Sequence, residues 1–486
     1  MDRNVLVNIQ RPADVFGDVR VVQSIPKMNL SFPYGLDLKQ TRVYGNVYHG
    51  NSMCNLAVSN VSNMISVVES TLIETSPNTS LNCRFDAVFG NTGTQIVGIG
   101  GSDEGFFFGT HDHQFGVLCR TGGQPHVETL TVTSPPTSSG NISVTLDSVQ
   151  YDTTVTGNSV VSVLSTLLNT EYTGWKTVQS GPSIHFTSLT SRAFSGTFSF
   201  DPSTTGIVGT MTTSLSGILP TDIWTYSPNW VWDQAAGNED LPIIDLSKGQ
   251  IYMIATHWDS FGYIVFSILD PESSRFIPVH YISYNNIMNI PIIQHDNIAI
   301  YCSVDNYTAT ESGVLNVASV SVQMPHTLVR DYDANPLQTA SNFMFRELLY
   351  PNTNTHILTI QTNPIYNGYY NKTKVALKTL SLTSRSLDNM IFTVYKNSVL
   401  GNVDAFSNVS STSCVSQYTS PTSTSGGTMV FQNPSLRGEH NAILDITGLG
   451  IFLDTGDSLS VTVQPMGNIY IRDALLYSSL TWTEHT

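Results

Sequence analysis

The sequence has few charged residues. Asp, Glu, Lys and Arg make up 12% of its 486 residues, about half of the share in an ordinary soluble domain. Its Lys and Arg residues form no cluster, and the formal net charge is −16. A nucleic-acid partner requires grouped cations to neutralise its phosphates. We therefore expect a polar, weakly charged surface that binds neither DNA nor RNA.

Long apolar segments are also missing. No stretch approaches the roughly 20 apolar residues of a membrane-crossing helix, and the N-terminal MDRNVLVNIQRPADVF lacks the apolar core of a signal peptide. We expect no membrane span and synthesis in the cytoplasm. Four sequons would matter only in a secreted protein, and we attribute them to the abundance of Asn, Ser and Thr: Asn60-Val61-Ser62, Asn141-Ile142-Ser143, Asn306-Tyr307-Thr308 and Asn371-Lys372-Thr373.

Cysteines are few and scattered, without CxxC or metal-ligand spacing: Cys54, Cys83, Cys119, Cys302 and Cys414. The odd number leaves at least one thiol unpaired, so no disulfide framework is indicated. Catalytic motifs are absent as well, since there is no GxSxG and no HExxH. The glycines at 98, 100 and 101 are not followed by the GK[ST] of a phosphate loop. We expect a protein that is not an enzyme and uses no cofactor.

What is present is a dense strand pattern, clearest in QIVGIGGSDEGFFFGTHDHQFGVLCRTGGQPHVETLTV at residues 95–132. Three consecutive phenylalanines stand between Gly105 and Gly109, and Phe115 and Val117 alternate with their neighbours. Such alternation between closely spaced glycines is typical of short strands joined by tight turns. The sequence predicts a mainly all-β chain of several β-sandwich or jelly-roll-like domains in series, with one small α+β module.

The pattern divides the chain into four blocks. Residues 1–132 form an N-terminal β domain, and residues 133–232 form the α+β module, whose insertion into the preceding domain is left open. Apolar residues recur at helical spacing over Ser159–Leu168, which predicts a helix there. Residues 233–335 return to strand character. Whether these strands complete the first domain is also left open. Residues 336–486 predict a C-terminal jelly-roll-like sandwich.

The triplet His111-Asp112-His113 is the first candidate chemical site. On a strand, His111 and His113 would point to the same face and could share a metal ion. No third ligand lies nearby in the sequence, and the flanking Gly109 and Gln114 indicate a turn. We therefore interpret both histidines as solvated loop residues and predict no metal site, with this pair as the metal-ligand candidates.

Acidic residues provide further candidates. Glycoside hydrolysis uses two carboxyl groups held about 5–10 Å apart. Three acid pairs are available, all in turn-like sequence that indicates solvated side chains: Asp103 with Glu104, Glu239 with Asp240, and Asp331 with Asp333. His257-Trp258-Asp259 places a histidine and a carboxylate beside an aromatic ring, and we interpret this segment as an ordinary strand end.

Aromatic residues are concentrated in WTYSPNWVW, which contains Trp224, Tyr226, Trp230 and Trp232. Their rings could stack on sugars, but the same spacing is also typical of a buried strand edge or a subunit contact. We keep these four residues as candidates for an interface or a glycan contact.

Aromatic- and glycine-rich segments recur across most of residues 40–486: QIVGIGGSDEGFFFG, FGVLCRTGG, TGNSVVSVLSTLLNTEYTGWKTV, SGTFSF through WTYSPNWVWD, DLSKGQIYMI to FIPVHYI, DTGDSLSVTVQP and SSLTWTEH. Together they resemble virion structural proteins of large double-stranded DNA viruses that infect algae and protists. The resemblance implies β-sandwich domains that self-associate in a capsid-associated or vertex component, and it implies no enzymatic residues.

The sequence leaves several functions open. The leading expectation is a structural virion protein, a homo-oligomer (trimer or pentamer) that docks to other capsid proteins as a minor capsid, penton or vertex spike component. The alternative is a carbohydrate-binding host-attachment protein, such as a fibre or spike, whose partner is a host glycan. A surface spike could combine both roles. A glycan hydrolase used for host entry is a third hypothesis, and it depends on one of the acid pairs.

Overall fold

The structure is a computed structural model. It describes residues 24–485 apart from 39, 62–63, 76–79, 91, 238–240, 258–261, 285–292, 296, 307–310, 326–336, 343–344, 387, 401–405, 421, 436–437 and 468.

The strands of the first part are β1 (Ser24–Ser31), β2 (Thr41–Tyr44), β3 (Asn46–Gly50), β4 (Met53–Val58), β5 (Ile65–Ser70), β6 (Ile73–Glu74), β7 (Ser80–Val88), β8 (Thr94–Gly100), β9 (Gly105–His111) and β10 (Gln114–Thr121). The next strands are β11 (Pro125–Ser134), β12 (Gly140–Leu146), β13 (Val149–Val155), β14 (Trp175–Ser180), β15 (Ser183–Ser191), β16 (Ser199–Asp201) and β17 (Val208–Leu215). They are followed by β18 (Thr221–Tyr226), β19 (Gln250–His257), β20 (Tyr263–Leu269), β21 (Phe276–Ser283), β22 (Asn297–Asp305) and β23 (Gly313–Pro325).

The C-terminal strands are β24 (Leu337–Ser341), β25 (Phe345–Leu349), β26 (Thr355–Thr362), β27 (Ile365–Tyr366), β28 (Tyr369–Tyr370), β29 (Lys374–Ser386), β30 (Met390–Lys396), β31 (Val399–Leu400), β32 (Ser407–Asn408) and β33 (Val415–Tyr418). The last are β34 (Thr424–Ser425), β35 (Thr428–Ser435), β36 (Gly438–Asp445), β37 (Phe452–Leu453), β38 (Ser458–Pro465) and β39 (Ile471–His485). Short 3-10 turns occupy Ser227–Asn229 and Thr447–Leu449.

The predicted fold class, mainly all-β with one small α+β module, is confirmed by these strands. Helix α1 (Val160–Leu168) lies where the apolar spacing predicts a helix. Ser159 caps it, because the Ser159 side chain accepts a hydrogen bond from the Ser162 backbone and the Ser162 hydroxyl accepts one from the Ser159 backbone. No helix among the described residues is long and apolar enough to span a membrane.

The chain divides into two compact units. The first comprises Met1–Pro125, Leu189–Arg192 and Ile218–Asp331. It contains one sheet in the order β21-β20-β19-β7-β23-β4-β3, with β1 on β23, and another in the order β18-β10-β9-β8-β22-β5-β2, with β6 on β22. Strands β18–β23 therefore share their sheets with strands that precede the α+β module in the chain.

Aromatic side chains from both sheets fill the core of the first unit. Phe108 of β9 lies 5.0 Å from Tyr252 and 5.3 Å from Phe266 between ring centroids, and Tyr252 and Phe266 belong to the opposite sheet. Phe106 joins the same core, whereas Phe107 points to the other face of its sheet. The two sheets therefore form a β-sandwich, and the alternation of side chains along β9 sorts the three phenylalanines between its faces.

The second unit comprises His126–Ser188, Ala193–Gly217 and Tyr332–Thr486. Its α+β part has the sheets β14-β15-β11-β17 and β13-β12-β16, which share a core with α1. Its C-terminal part has the six-stranded sheets β24-β39-β29-β36, with β25 and β37 attached, and β32-β33-β26-β38-β30-β35. Both contribute to one core that includes the fully buried Trp482, so this part is a second β-sandwich.

All five cysteines are buried and free. Burial raises the pKa of Cys54 to about 12 and that of Cys119 to about 11, and a thiol that is neither exposed nor ionised reacts slowly. We expect no thiol to react with a disulfide reagent at pH 8 in the native chain, and all five to react in denaturant. Rapid labelling of any cysteine before unfolding would contradict this expectation.

His356 provides a test of pH dependence in the C-terminal sandwich. Burial lowers the pKa of this residue from 6.5 to about 4, and its ring nitrogens contact the Ser420 carbonyl at 2.7 Å and the Thr359 hydroxyl at 2.8 Å. The neutral form is favoured on folding, so the stabilisation is present above pH 6.5 and is lost as the pH falls towards 4. We expect a loss of about 2–3 kcal/mol between pH 7.5 and 4.5 from this group.

Urea unfolding of the wild type and of His356→Gln at both pH values isolates this contribution, because the other titrating groups are common to both chains. The free energy of unfolding is expected to fall less steeply with acidification in the variant. An identical fall in the two chains would contradict the assignment.

Candidate functional site

One face of the sheet β18-β10-β9 carries the candidate site. The register places Trp224 of β18 opposite Leu118 of β10, and Leu118 opposite Phe107 of β9. Directly opposite residues point to the same face of a sheet, as do residues two apart along a strand. The side chains of Trp224 and Tyr226 on β18 and of His111 at the end of β9 therefore lie on this face.

These three side chains form what we call the aromatic row: His111, Trp224 and Tyr226. The Trp224 ring lies 5.5 Å from the His111 ring and 6.0 Å from the Tyr226 ring, with interplanar angles of 10° and 8°. All three are half-buried. The row consists of near-parallel rings with access to solvent.

Glycine on the neighbouring strand β10 lets β18 approach it closely. Gly116 of β10 lies opposite Tyr226 and also opposite Gly109 of β9. A Cβ atom on Gly116 would lie 2.6 Å from the carbonyl oxygen of Thr225, closer than atoms in contact allow. Any larger residue would push β18 away, so glycine keeps the strand that bears Trp224 and Tyr226 in place.

Hydrogen-bonding groups flank the row. Asp222, two residues before Trp224, accepts two hydrogen bonds of 2.8 Å from the Arg120 guanidinium. The Thr94 hydroxyl lies 3.0 Å from Nδ1 of His111 and fixes that ring. Burial, with a smaller contribution from Asp112, raises the pKa of Tyr226, so its phenol is neutral at physiological pH.

The turn between β9 and β10 separates the two histidines of the triplet. Asp112 and His113 have φ angles of 47° and 62°, as both central residues of a type I′ hairpin turn do. His111 lies on the face of the sheet, whereas His113 is exposed with its Nε2 3.9 Å from a Glu311 oxygen. Neither belongs to the one group of three potential metal ligands found among the described residues.

Trp230 and Trp232, the other two tryptophans among the four aromatic candidates, lie in different surroundings. Trp230 is 3% exposed, packs edge-on against Phe108 and Phe115, and donates its indole N–H to the Thr225 carbonyl at 3.0 Å. Trp232 is 46% exposed and lies 4.8 Å from the Tyr281 ring. Trp230 therefore belongs to the core, and Trp232 forms a separate surface pair with Tyr281.

The expectation of solvated acids is wrong for Asp103 and Glu104, which are 5% and 3% exposed. The turn that holds them is closed by hydrogen bonds from Gly101 N to Glu104 O and from Gly123 N to Asp103 O, which hold the segment against the sandwich. Glu104 Oε1 lies 2.6 Å from His295 Nδ1, and Oε2 accepts from the Gln294 backbone N–H at 2.8 Å.

The remaining sequence candidates lie wholly or partly outside the described residues. These are Glu239 with Asp240, Asp331 with Asp333, and Trp258 with Asp259. His257 is the last residue of β19. Sequence reasoning missed Arg120, Asp222, Tyr281 and His295, because no local pattern distinguishes them before the strands are paired.

No protein-family model matches the chain, and no curated protein matches it. Among solved structures, peanut lectin with a 9mer peptide is 7% identical, with 62% of this chain and 97% of that chain covered and a TM-score of 0.26. Lectin I of Ulex europaeus in complex with the methyl glycoside of α-L-fucose is 10% identical, with 61% of this chain and 98% of that chain covered and a TM-score of 0.24. β-Agarase A of Zobellia galactanivorans is 11% identical, with 64% of this chain and 94% of that chain covered and a TM-score of 0.26. Similarity at this level carries no conclusion about what the present chain binds.

Proposed function

We propose that this protein binds carbohydrate and that the aromatic row is its sugar contact. The observation that supports the proposal is the set of near-parallel rings of His111, Trp224 and Tyr226 on one sheet face. The C–H faces of a sugar are apolar and pack on aromatic rings, while Tyr and Trp also offer polar edges. The row thus supplies the apolar half of a sugar site.

Charged groups beside the row supply its polar half. The Arg120–Asp222 pair, with two hydrogen bonds of 2.8 Å, fixes the Asp222 carboxylate next to Trp224, where its side chain is 32% exposed and can accept from a ligand. Charge-assisted hydrogen bonds of this kind are stronger than neutral ones, and sugar hydroxyls can both donate and accept. The arrangement therefore suits a ligand with hydroxyl groups next to an apolar face.

The charge of the site favours neutral glycans. Asp112 is 68% exposed near the row, and the whole chain carries a formal net charge of −16. A sulfated or uronic-acid glycan would meet negative potential on approach. We therefore propose a neutral oligosaccharide, or a neutral segment of a larger glycan, as the ligand.

A glycan array tests the proposal. We expect the full chain to bind at least one class of neutral glycans and to retain little or no binding to sulfated ones. An array without binding, or with binding only to anionic glycans, would overturn the proposal. Analysis of each bound glycan after prolonged incubation should show no cleavage, since we propose a binding protein and not an enzyme.

A second candidate function is that of a structural virion protein, as the sequence resemblance implies. Its support in the fold is the presence of five buried, free thiols, which suits assembly in a reducing cytoplasm. In this proposal the chain forms a trimer or pentamer in the capsid as a minor capsid, penton or spike component, and a glycan-binding spike would combine the two functions.

Light scattering of the purified chain, together with proteomics of purified virus particles, tests the second candidate. If the chain is a structural virion protein, we expect the purified chain to form a closed oligomer and to be present in virus particles. A monomer that is absent from particles would exclude the structural role and leave the glycan-binding proposal standing.

A further inference from the structure

Three side chains that can ligate a metal converge at the beginning of β9. Asp103, Glu104 and His295 each offer a ligand atom, and these atoms all lie within 4.8 Å of one another. The pairing of β22 with β8 explains the arrangement, because Ala299 lies opposite Gly100. This register brings Gln294 and His295 beside the turn that joins β8 to β9.

We propose that Asp103, Glu104 and His295 bind a divalent transition-metal ion. Imidazole nitrogen and carboxylate oxygen are ligands for Zn²⁺ and Mn²⁺, and each lies about 2.0–2.2 Å from a bound Zn²⁺. Ligand atoms around such an ion are therefore roughly 3–4 Å apart, so small side-chain rotations close the observed cluster around one ion. Ca²⁺ and Mg²⁺ prefer oxygen ligands alone, and the imidazole disfavours them.

Burial supports a bound cation. Asp103 and Glu104 are adjacent in the chain, and the two residues are 5% and 3% exposed. Removing two carboxylates from water is costly, and a divalent cation offsets that cost by direct coordination. The 2.6 Å contact between Glu104 Oε1 and His295 Nδ1 shows that carboxylate and imidazole already point at each other.

The surroundings also meet the requirements of a metal site. The Gln294 backbone N–H donates to Glu104 Oε2 at 2.8 Å, which holds the carboxylate in orientation as the outer partners of metal ligands do. The His295 side chain is 31% exposed, so an ion can enter from solvent and keep water as a further ligand.

The metal site and the aromatic row lie at opposite ends of β9. The strand runs from Gly105, beside Glu104, to His111, a span of roughly 20 Å at the usual rise per residue. The metal is therefore expected to fasten the β8–β9 turn to His295, and the proposal does not depend on glycan binding.

Calorimetric titration of the chelator-treated full chain with Zn²⁺ and with Mn²⁺ tests the proposal. We expect one equivalent of at least one of the two ions to bind and to raise the melting temperature. His295→Ala, at the exposed rim, and Glu104→Gln, in the interior, should each weaken binding about 10–100-fold, as the loss of a ligand or its support does. The control is His113→Ala, an exposed histidine beside Glu311, which should bind as the wild type does.

Three results would overturn the proposal: no saturable binding of Zn²⁺ or Mn²⁺ by the folded wild type, unchanged binding in His295→Ala, or loss of binding in His113→Ala. Tighter binding of Ca²⁺ than of both transition metals would overturn the choice of ion. Circular dichroism is used to check that His295→Ala, with its partly exposed side chain, is folded. This variant keeps the test valid if Glu104→Gln does not fold.

Discussion

Replacing Trp224 by alanine is expected to lower the affinity of the chain for its glycan at least 30-fold. Trp224 lies between His111 and Tyr226 and contacts both rings, so its removal leaves a gap at the centre of the row. Central aromatic residues of a binding site contribute about 2 kcal/mol or more, and 1.4 kcal/mol corresponds to a factor of ten. Calorimetry with a glycan selected on the array measures the change.

Two further variants separate ring stacking from other effects. Trp224→Leu keeps an apolar side chain at this position, and it should lose most of the affinity because leucine cannot stack between the His111 and Tyr226 rings and hold the row together. Trp232→Ala removes an exposed indole that packs on Tyr281 outside the row, and it should bind as the wild type does. If Trp232→Ala lost binding and Trp224→Ala kept it, the sugar contact would lie at the Trp232–Tyr281 pair.

Replacing Trp230 by alanine is expected to destabilise the first sandwich by about 3–5 kcal/mol, the usual cost of removing a large aromatic side chain from a core. Trp230 is 3% exposed and packs on Phe108 and Phe115. Its loss would leave a cavity and would also remove the hydrogen bond from its indole N–H to Thr225. Urea unfolding followed by circular dichroism measures the effect.

Trp232→Ala is the matched control for stability, since an exposed substitution usually changes it by no more than about 0.5 kcal/mol. A loss below about 1 kcal/mol in Trp230→Ala would contradict the assignment of Trp230 to the core. The loss in the free energy of unfolding of Trp224→Ala is expected to lie between those of the two variants, because the Trp224 ring is half-buried.

Local patterns were sufficient to predict the fold class. The alternating side chains around Phe106–Phe108 predict short strands, and the structure has β9 and β10 there with a two-residue turn. Apolar residues at helical spacing predict the helix that α1 forms over Val160–Leu168. In both segments apolar residues recur with the period of the strand or helix, so their spacing indicates the type of element.

The candidate sites depend on long-range pairing and could not be predicted in this way. Glu104 and His295 are 191 positions apart in the sequence, and only the pairing of β22 with β8 brings them together. Three tryptophans lie within nine residues of the sequence but in three environments. Trp224 lies on a sheet face, Trp230 lies in the core, and Trp232 forms an exposed pair with Tyr281. Their spacing is compatible with all three environments, so tertiary contacts alone distinguish them.

The buried acids show the same limit. Asp103 and Glu104 follow glycine and serine in GGSDEG, a composition typical of solvated turns. Packing of this turn against the sandwich overrides the local preference, and the side chains become 5% and 3% exposed. A turn composition therefore predicts the course of the backbone better than the exposure of its side chains.

The sugar contact at Trp224 can be followed directly by ¹⁹F NMR of the chain labelled with 5-fluorotryptophan and titrated with the glycan that the array selects. The six tryptophans give separate signals, and Trp224→Phe and Trp230→Phe assign the two that matter. We expect the Trp224 signal to shift in proportion to saturation while the Trp230 signal stays in place. Saturable glycan binding with an unmoved Trp224 signal would contradict the proposed sugar contact at the aromatic row.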